Sequence, residues 1–235
     1  TVKQCEVVDI LTQDNKVIGV KTNFDETINC KTIVVCTGVY LDSRIIIGEY
    51  TKNQGPNGFV NATGLSKSLE KLGFEILRFK TGTPARVLSS SIDYSKFEVQ
   101  QGDNNIQTFS YLTKKQPKNT CVCYLGYTNE KTHEIIRNNL HRAPMYSGAI
   151  KGVGPRYCPS MEDKVVRFAD KLRHQIFLEP EDKYGSEIYV QGFSSSMPAS
   201  VQEEMYKSVE GFQNVKILRN AYAIEYDCIN SLALL

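Results

Sequence analysis

Residues 152–164 read Gly152-Val153-Gly154-Pro155-Arg156-Tyr157-Cys158-Pro159-Ser160-Met161-Glu162-Asp163-Lys164. Pro155 and Pro159 restrict the backbone, so the loop is expected to be stiff. An amphipathic pattern then begins, with Met161, Val165, Phe168, Ala169 and Leu172 on one helical face. Ser160 is the N-cap residue and Asp163 stands where a capping box carries its acid. Cys158 therefore precedes a helix start, where free N–H groups favour an anion, whether a phosphate or a thiolate. Arg156 and Lys164 add positive charge beside it. The same residues also suit a tight loop with a buried cysteine.

Composition narrows the class. The 235 residues are 41% hydrophobic and 23% charged, enough for one large or two small globular domains. No run of about 18 apolar residues occurs, so no membrane-spanning helix is expected. The net charge of +2 neither requires nor excludes a polyanion partner, which would need a local basic patch. The seven cysteines, at 5, 30, 36, 121, 123, 158 and 228, form no CxxC pair. That spacing argues against a disulfide framework and a structural zinc site, and no metal is expected. The chain begins at Thr1 without Met or a signal-peptide pattern, which suggests an excised internal piece.

The flanking segments set the fold class. Glu6–Leu11 and Lys16–Val20 form a predicted hairpin about a polar turn. Thr32-Ile33-Val34-Val35-Cys36-Thr37-Gly38 is a β-branched run, the pattern of a buried parallel strand. Ligands of open α/β sheets bind beyond such strand ends. A helix is expected over Leu65–Leu72 and a strand over 74–79. The strand leads into Lys80-Thr81-Gly82-Thr83-Pro84-Ala85-Arg86, a small-residue turn between two cations. Lys80 and Arg86 are candidates for binding an anion or RNA there, and also suit solvated cations on a sharp turn. Residues 87–120 read as exposed turns around edge strands. Cys121 and Cys123 fall on one strand face, and His133 opens a helix, with structural and functional roles both open. Strands over 175–178, 187–190 and 215–219 and a helix carrying Val201, Met205 and Val209 complete the pattern.

A meander leading into a strand that ends Thr-Gly resembles the second dinucleotide fingerprint of FAD-dependent two-domain oxidoreductases, although no GxGxxG is present. More specifically, four motifs together resemble the GidA (MnmG) family: Gly154–Ser160, Lys80–Pro84, Asn129-Glu130-Lys131-Thr132-His133 and Tyr222-Ala223-Ile224-Glu225-Tyr226-Asp227.

The resemblance implies an α/β fold: part of a Rossmann-like FAD/NAD-binding domain with an inserted α+β domain. Residues 1–86 and 201–235 would belong to the FAD-binding part and 87–200 to the insert. It implies an FAD-dependent enzyme that adds an aminomethyl or carboxymethylaminomethyl group to C5 of the wobble uridine of tRNA. Methylenetetrahydrofolate would give the carbon and NAD(H) the electrons. A dimer working with the GTPase MnmE in the cytoplasm would be the acting assembly. Carried onto this chain, the resemblance assigns nicotinamide binding to Gly154, Pro155, Arg156, Tyr157, Cys158, Pro159, Ser160, Met161, Glu162, Asp163, Lys164, Val165, Val166, Arg167 and Phe168. Cys158 becomes the expected catalytic residue. Val7 and Ala62 become flavin contacts, with Thr37 and Gly38 on the same edge. The competing classes are a non-catalytic nucleotide- or RNA-binding module, a related folate- and FAD-dependent tRNA methyltransferase, and a general thiol or flavin reductase.

Overall fold

Asp14 and Asn15 both adopt left-handed backbone angles (φ 50° and 59°), which short polar residues tolerate, and reverse the chain within two residues. They join Val7–Gln13 (β1) to Lys16–Thr22 (β2), the expected hairpin, and Thr27–Asn29 (β3) extends it to three antiparallel strands. The structure, a computed structural model, describes residues 1–154, 158–182 and 184–234.

Further along lie Arg44–Ile47 (β4), Tyr50–Asn53 (β5), Leu65–Lys71 (α1), Ile76–Thr83 (β6) and Arg86–Leu88 (β7). They are followed by Glu98–Gln100 (β8), Cys123–Tyr127 (β9), Glu130–Asn139 (α2), Pro144–Ser147 (α3) and Met161–Arg167 (α4). Gln175–Pro180 (β10), Glu187–Gln191 (β11), Ala199–Lys207 (α5), Ile217–Arg219 (β12) and Tyr222–Ile229 (β13) complete the order. The result is the mixed helix-and-sheet chain expected of an α/β protein.

Two compact units emerge. The first comprises Thr1–Thr81, Gly148–Cys158 and Ala223–Leu235; the second comprises Gly82–Ser147 and Pro159–Tyr222. Residues 201–222, read from the sequence as a return to the first part, thus lie in the second unit. The first unit holds the β1–β2–β3 sheet and a four-stranded sheet ordered β5–β4–β13–β6. Its small core gathers Leu41, Leu65 and Leu69, with Val7, Ile10 and Ala62 packed against them. The second unit is a six-stranded sheet ordered β12–β7–β11–β10–β9–β8, antiparallel at every neighbouring pair. Its core is larger, with Ile136, Met161, Ile176, Leu178, Val190, Met205 and Tyr206 fully buried. Each aliphatic side chain so buried contributes about 1.5–3 kcal/mol.

Several sequence expectations are corrected. Thr32–Gly38 is not a strand, and Val34 is 86% exposed. β-branched composition favours extended backbone, but a parallel strand also needs neighbours, and among the described residues no strand pairs with this run. The turn expected over Lys80–Arg86 is largely strand, since β6 runs on through Thr83 and Lys80 is buried. The helix after Cys158 stops at Arg167. Only Met161 and Val165 reach a core, and Phe168 and Leu172 stay exposed, so the apolar periodicity outruns the surface available to bury it. Cys121 lies outside β9 and is exposed, and Cys123 begins the strand, so the two do not share it.

Candidate functional site

The first unit centres on a buried acid, Glu225, preceded in its strand by Ala223 and Ile224. Glu225, in β13, is completely buried, and its two oxygens are separately satisfied. Oε1 accepts the backbone N–H groups of Lys151 (2.7 Å) and Gly152 (2.6 Å). Oε2 accepts from Nε of Arg44 in β4 at 2.6 Å, and Nη2 of the same guanidinium lies equally close. Arg44 also donates to the carbonyl of Ala149 at 3.2 Å. Burial works against ionisation of Glu225, but the Gly152 N–H, the Arg44 hydrogen bond and the Lys151 N–H together outweigh it and lower its pKa.

Those contacts hold the start of the Cys158 segment. The next residue, Val153, bridges β6 in parallel: its N–H donates to the Arg78 carbonyl (3.1 Å) and its carbonyl accepts from the Lys80 N–H (3.0 Å). Gly152 is required there, because a Cβ would come within 2.9 Å of the Phe79 backbone. At the far end, Cys158 Sγ lies 3.2 Å from Thr81 Oγ1, two residues beyond the bridged Phe79 on β6. Tyr226 meets Phe79 edge-on, with ring centroids 6.3 Å apart. Burial pushes its phenol pKa up, with smaller upward contributions from Cys228 and Cys158. Pro155, Arg156 and Tyr157 lie outside the described residues.

In the second unit the expected capping box is present. Ser160 Oγ accepts the Asp163 N–H at 3.3 Å, and Asp163 Oδ2 accepts the Ser160 N–H at 3.1 Å. The remaining polar side chains of this stretch are also engaged. Glu162 Oε1 accepts from the Ser196 N–H (2.9 Å) and the Ser195 hydroxyl (3.1 Å), and Lys164 Nζ donates to the Gly192 carbonyl at 2.9 Å. Met161 and Val165 are core residues, leaving Val166, Arg167 and Phe168 exposed.

The four flavin candidates fall in one neighbourhood of the first unit. Val7 and Ala62 pack against the same leucine cluster. Ala62 takes its N–H to the Tyr40 carbonyl (3.0 Å), and Tyr40 closes a turn onto the Thr37 carbonyl (3.0 Å) that contains Gly38 at φ 53°. A cavity of about 780 Å³ opens beside Ala62, walled also by Cys5, Glu6, Phe24, Tyr40 and Phe59. Lys80 is 3% exposed, and Arg86 pairs with Glu181 at 2.8 Å and lies over the Tyr189 ring. His133 is buried against Thr128 Oγ1 at 2.8 Å, the structural of its two readings.

All 235 residues match the family described as Glucose inhibited division protein A. The chain belongs to that family. Over its whole length it is 56% identical to the tRNA uridine 5-carboxymethylaminomethyl modification enzyme MnmG of Lachnoclostridium phytofermentans, covering 38% of that relative. The enzyme of the same name from Caldicellulosiruptor saccharolyticus is also 56% identical, over 99% of this chain and 37% of its own length. The crystal structure of Aquifex aeolicus GidA (form II) superposes with a TM-score of 0.88 at 46% identity, over 97% of this chain and 37% of that one. The chain thus spans well under half the length of the relatives it matches. Within this GidA-family chain, Thr81 and Glu225 stand inside motifs that by themselves assign neither residue a role. The available signal was an acid between apolar neighbours in Ala223-Ile224-Glu225, a placement that demands a buried partner. Arg44, the partner, carried no signal of its own.

Proposed function

We propose that the protein containing this chain is a flavin-dependent enzyme that installs an aminomethyl or carboxymethylaminomethyl group at C5 of the wobble uridine of tRNA. Its carbon donor is methylenetetrahydrofolate, its reductant NAD(H), and its partner the GTPase MnmE, with the enzyme acting as a cytoplasmic dimer. The observation that carries this reading is Cys158, held against Thr81 at the end of a segment anchored by Glu225, in a chain of this family.

The residues beside Val7, Thr37, Gly38 and Ala62 fit the flat part of a flavin. Tyr40 and Phe59 give the cavity aromatic walls, and Gly38 has no atom within 4 Å of where a Cβ would stand. Bound there, the flavin supplies the redox chemistry. The chain's own contribution is to orient the target base and to hold or move a proton at Cys158 Sγ, or to attack the uridine ring through the same atom. Nicotinamide binding falls to the Gly154–Phe168 segment. Because its helix spends Ser160–Val165 on cap and core, the contacts left to a ligand among the described residues are backbone groups of Gly154, Cys158 and Pro159 and the exposed residues Val166, Arg167 and Phe168. Lys80 and Arg86 have no part in this proposal, one being buried and the other paired.

The test is Cys158→Ser in the full-length protein, with nucleoside analysis of digested tRNA. The modified uridine should disappear while the melting temperature holds. Modified nucleoside at wild-type levels would sink the role of Cys158.

A further inference from the structure

We infer that Thr81 is a positioning residue for Cys158, its hydroxyl fixing the orientation of the sulfur. This rests on the reading of Cys158 as the working thiol. The geometry has three parts, all in the first unit. The hydroxyl and the sulfur are 3.2 Å apart, within hydrogen-bonding distance for sulfur. A threonine hydroxyl both donates and accepts, so either atom of the pair can be the donor.

Second, the hydroxyl stands on a rigid element. Thr81 lies in β6, and its β-branched side chain is stiff about χ1. The same strand binds Val153 in the parallel bridge, so the segment bearing Cys158 leaves β6 at Phe79 and returns to it at Thr81. Third, the departing end is clamped independently, through the two N–H groups that Glu225 accepts and the Arg44 pair behind them. With one end pinned by backbone bonds, the hydrogen bond at Thr81 sets where the sulfur points. Neither the cap of the following helix nor the Tyr226 ring makes a hydrogen bond to Cys158 among the described residues.

The experiment measures alkylation of Cys158 by iodoacetamide in the full-length protein at neutral pH, read peptide by peptide by mass spectrometry, with the Cys228 peptide as internal control. Thr81→Val keeps the shape and removes the hydroxyl; it should slow Cys158 alkylation about tenfold and leave Cys228 unchanged, as expected for losing the hydrogen bond that holds the sulfur. Thr81→Ser should restore the rate to within about threefold of wild type. Thr81→Ala, which avoids any misfit of the added methyl, should slow alkylation as Thr81→Val does. In tRNA modification the same variants should lower kcat with little change in KM. Wild-type alkylation rates in both Thr81→Val and Thr81→Ala, or a Thr81→Ser variant as slow as Thr81→Val, would overturn the inference. The alkylation readout does not depend on tRNA chemistry. A failure of the proposed function, with modification intact in Cys158→Ser, therefore stays distinct from a failure of the Thr81 contact.

Discussion

Glu225 and Arg44, 181 residues apart in sequence, meet at 2.6 Å with the carboxylate wholly buried. The pair joins β13 to β4 where the two strands are already neighbours, and its remaining bonds reach the Gly148–Cys158 segment. Removing one partner leaves the other charge without compensation. Arg44→Met and Glu225→Ala should each cost about 3–5 kcal/mol in denaturant unfolding. The double variant should cost less than the sum, and strict additivity would count against the pair as a coupled unit.

Ser160 gives a smaller and more local effect. Its hydroxyl and Asp163 exchange the two bonds of a capping box at the start of α4. Ser160→Ala should destabilise by about 1 kcal/mol and Ser160→Gly by only a few tenths. Equal losses for the two would argue against the cap.

Lys80 separates packing from charge. The side chain lies in β6 and is 3% exposed, so its methylene stem is part of the buried surface. Lys80→Ala should cost about 2 kcal/mol, whereas Lys80→Met, which keeps the stem's bulk, should be close to neutral. A neutral Lys80→Ala would place the side chain in solvent instead.

The second unit carries a pH dependence. Burial lowers the imidazole pKa of both His133 and His174, whose rings lie 5.2 Å apart, and His133 adds to the effect on His174. Because the folded values fall below the ordinary 6.5, the unfolded chain binds protons first as the medium is acidified. Stability should be full above about pH 6.5 and decline as pH falls from there through the lowered folded values. His133→Asn with His174→Asn should flatten that decline; an unchanged slope would assign it to other groups.

Much of this was legible in the chain before any coordinates. The β1–β2 hairpin showed as two β-rich runs about Asp14-Asn15, and the α4 cap showed as Ser160 with Asp163, because both are set by neighbours within a few residues. Thr32–Gly38 misled for the complementary reason. Its residues report a local preference for extended backbone, while burial depends on pairing that no local pattern encodes. At the site, Cys158 announced itself by the glycines and prolines around it. The Arg44–Glu225 pair and the Thr81 contact bridge 181 and 77 residues, and separations of that size leave no periodic trace.

The sheet order β5–β4–β13–β6 also governs how the chain is made. The strand lying between β4 and β6 is the last strand in the sequence. During synthesis both of its neighbours leave the ribosome more than a hundred residues ahead of it, and a one-strand gap stays open between them. Two unpaired edges and the Arg44 cation wait in that gap until Glu225 emerges, a long exposure for a sheet of high contact order. Closure by β13 delivers the Glu225 carboxylate to Lys151 and Gly152, so the Cys158 segment gains this anchor only after residue 225 has been made. A chain truncated before residue 222 would keep its cysteine but lack the means to aim it.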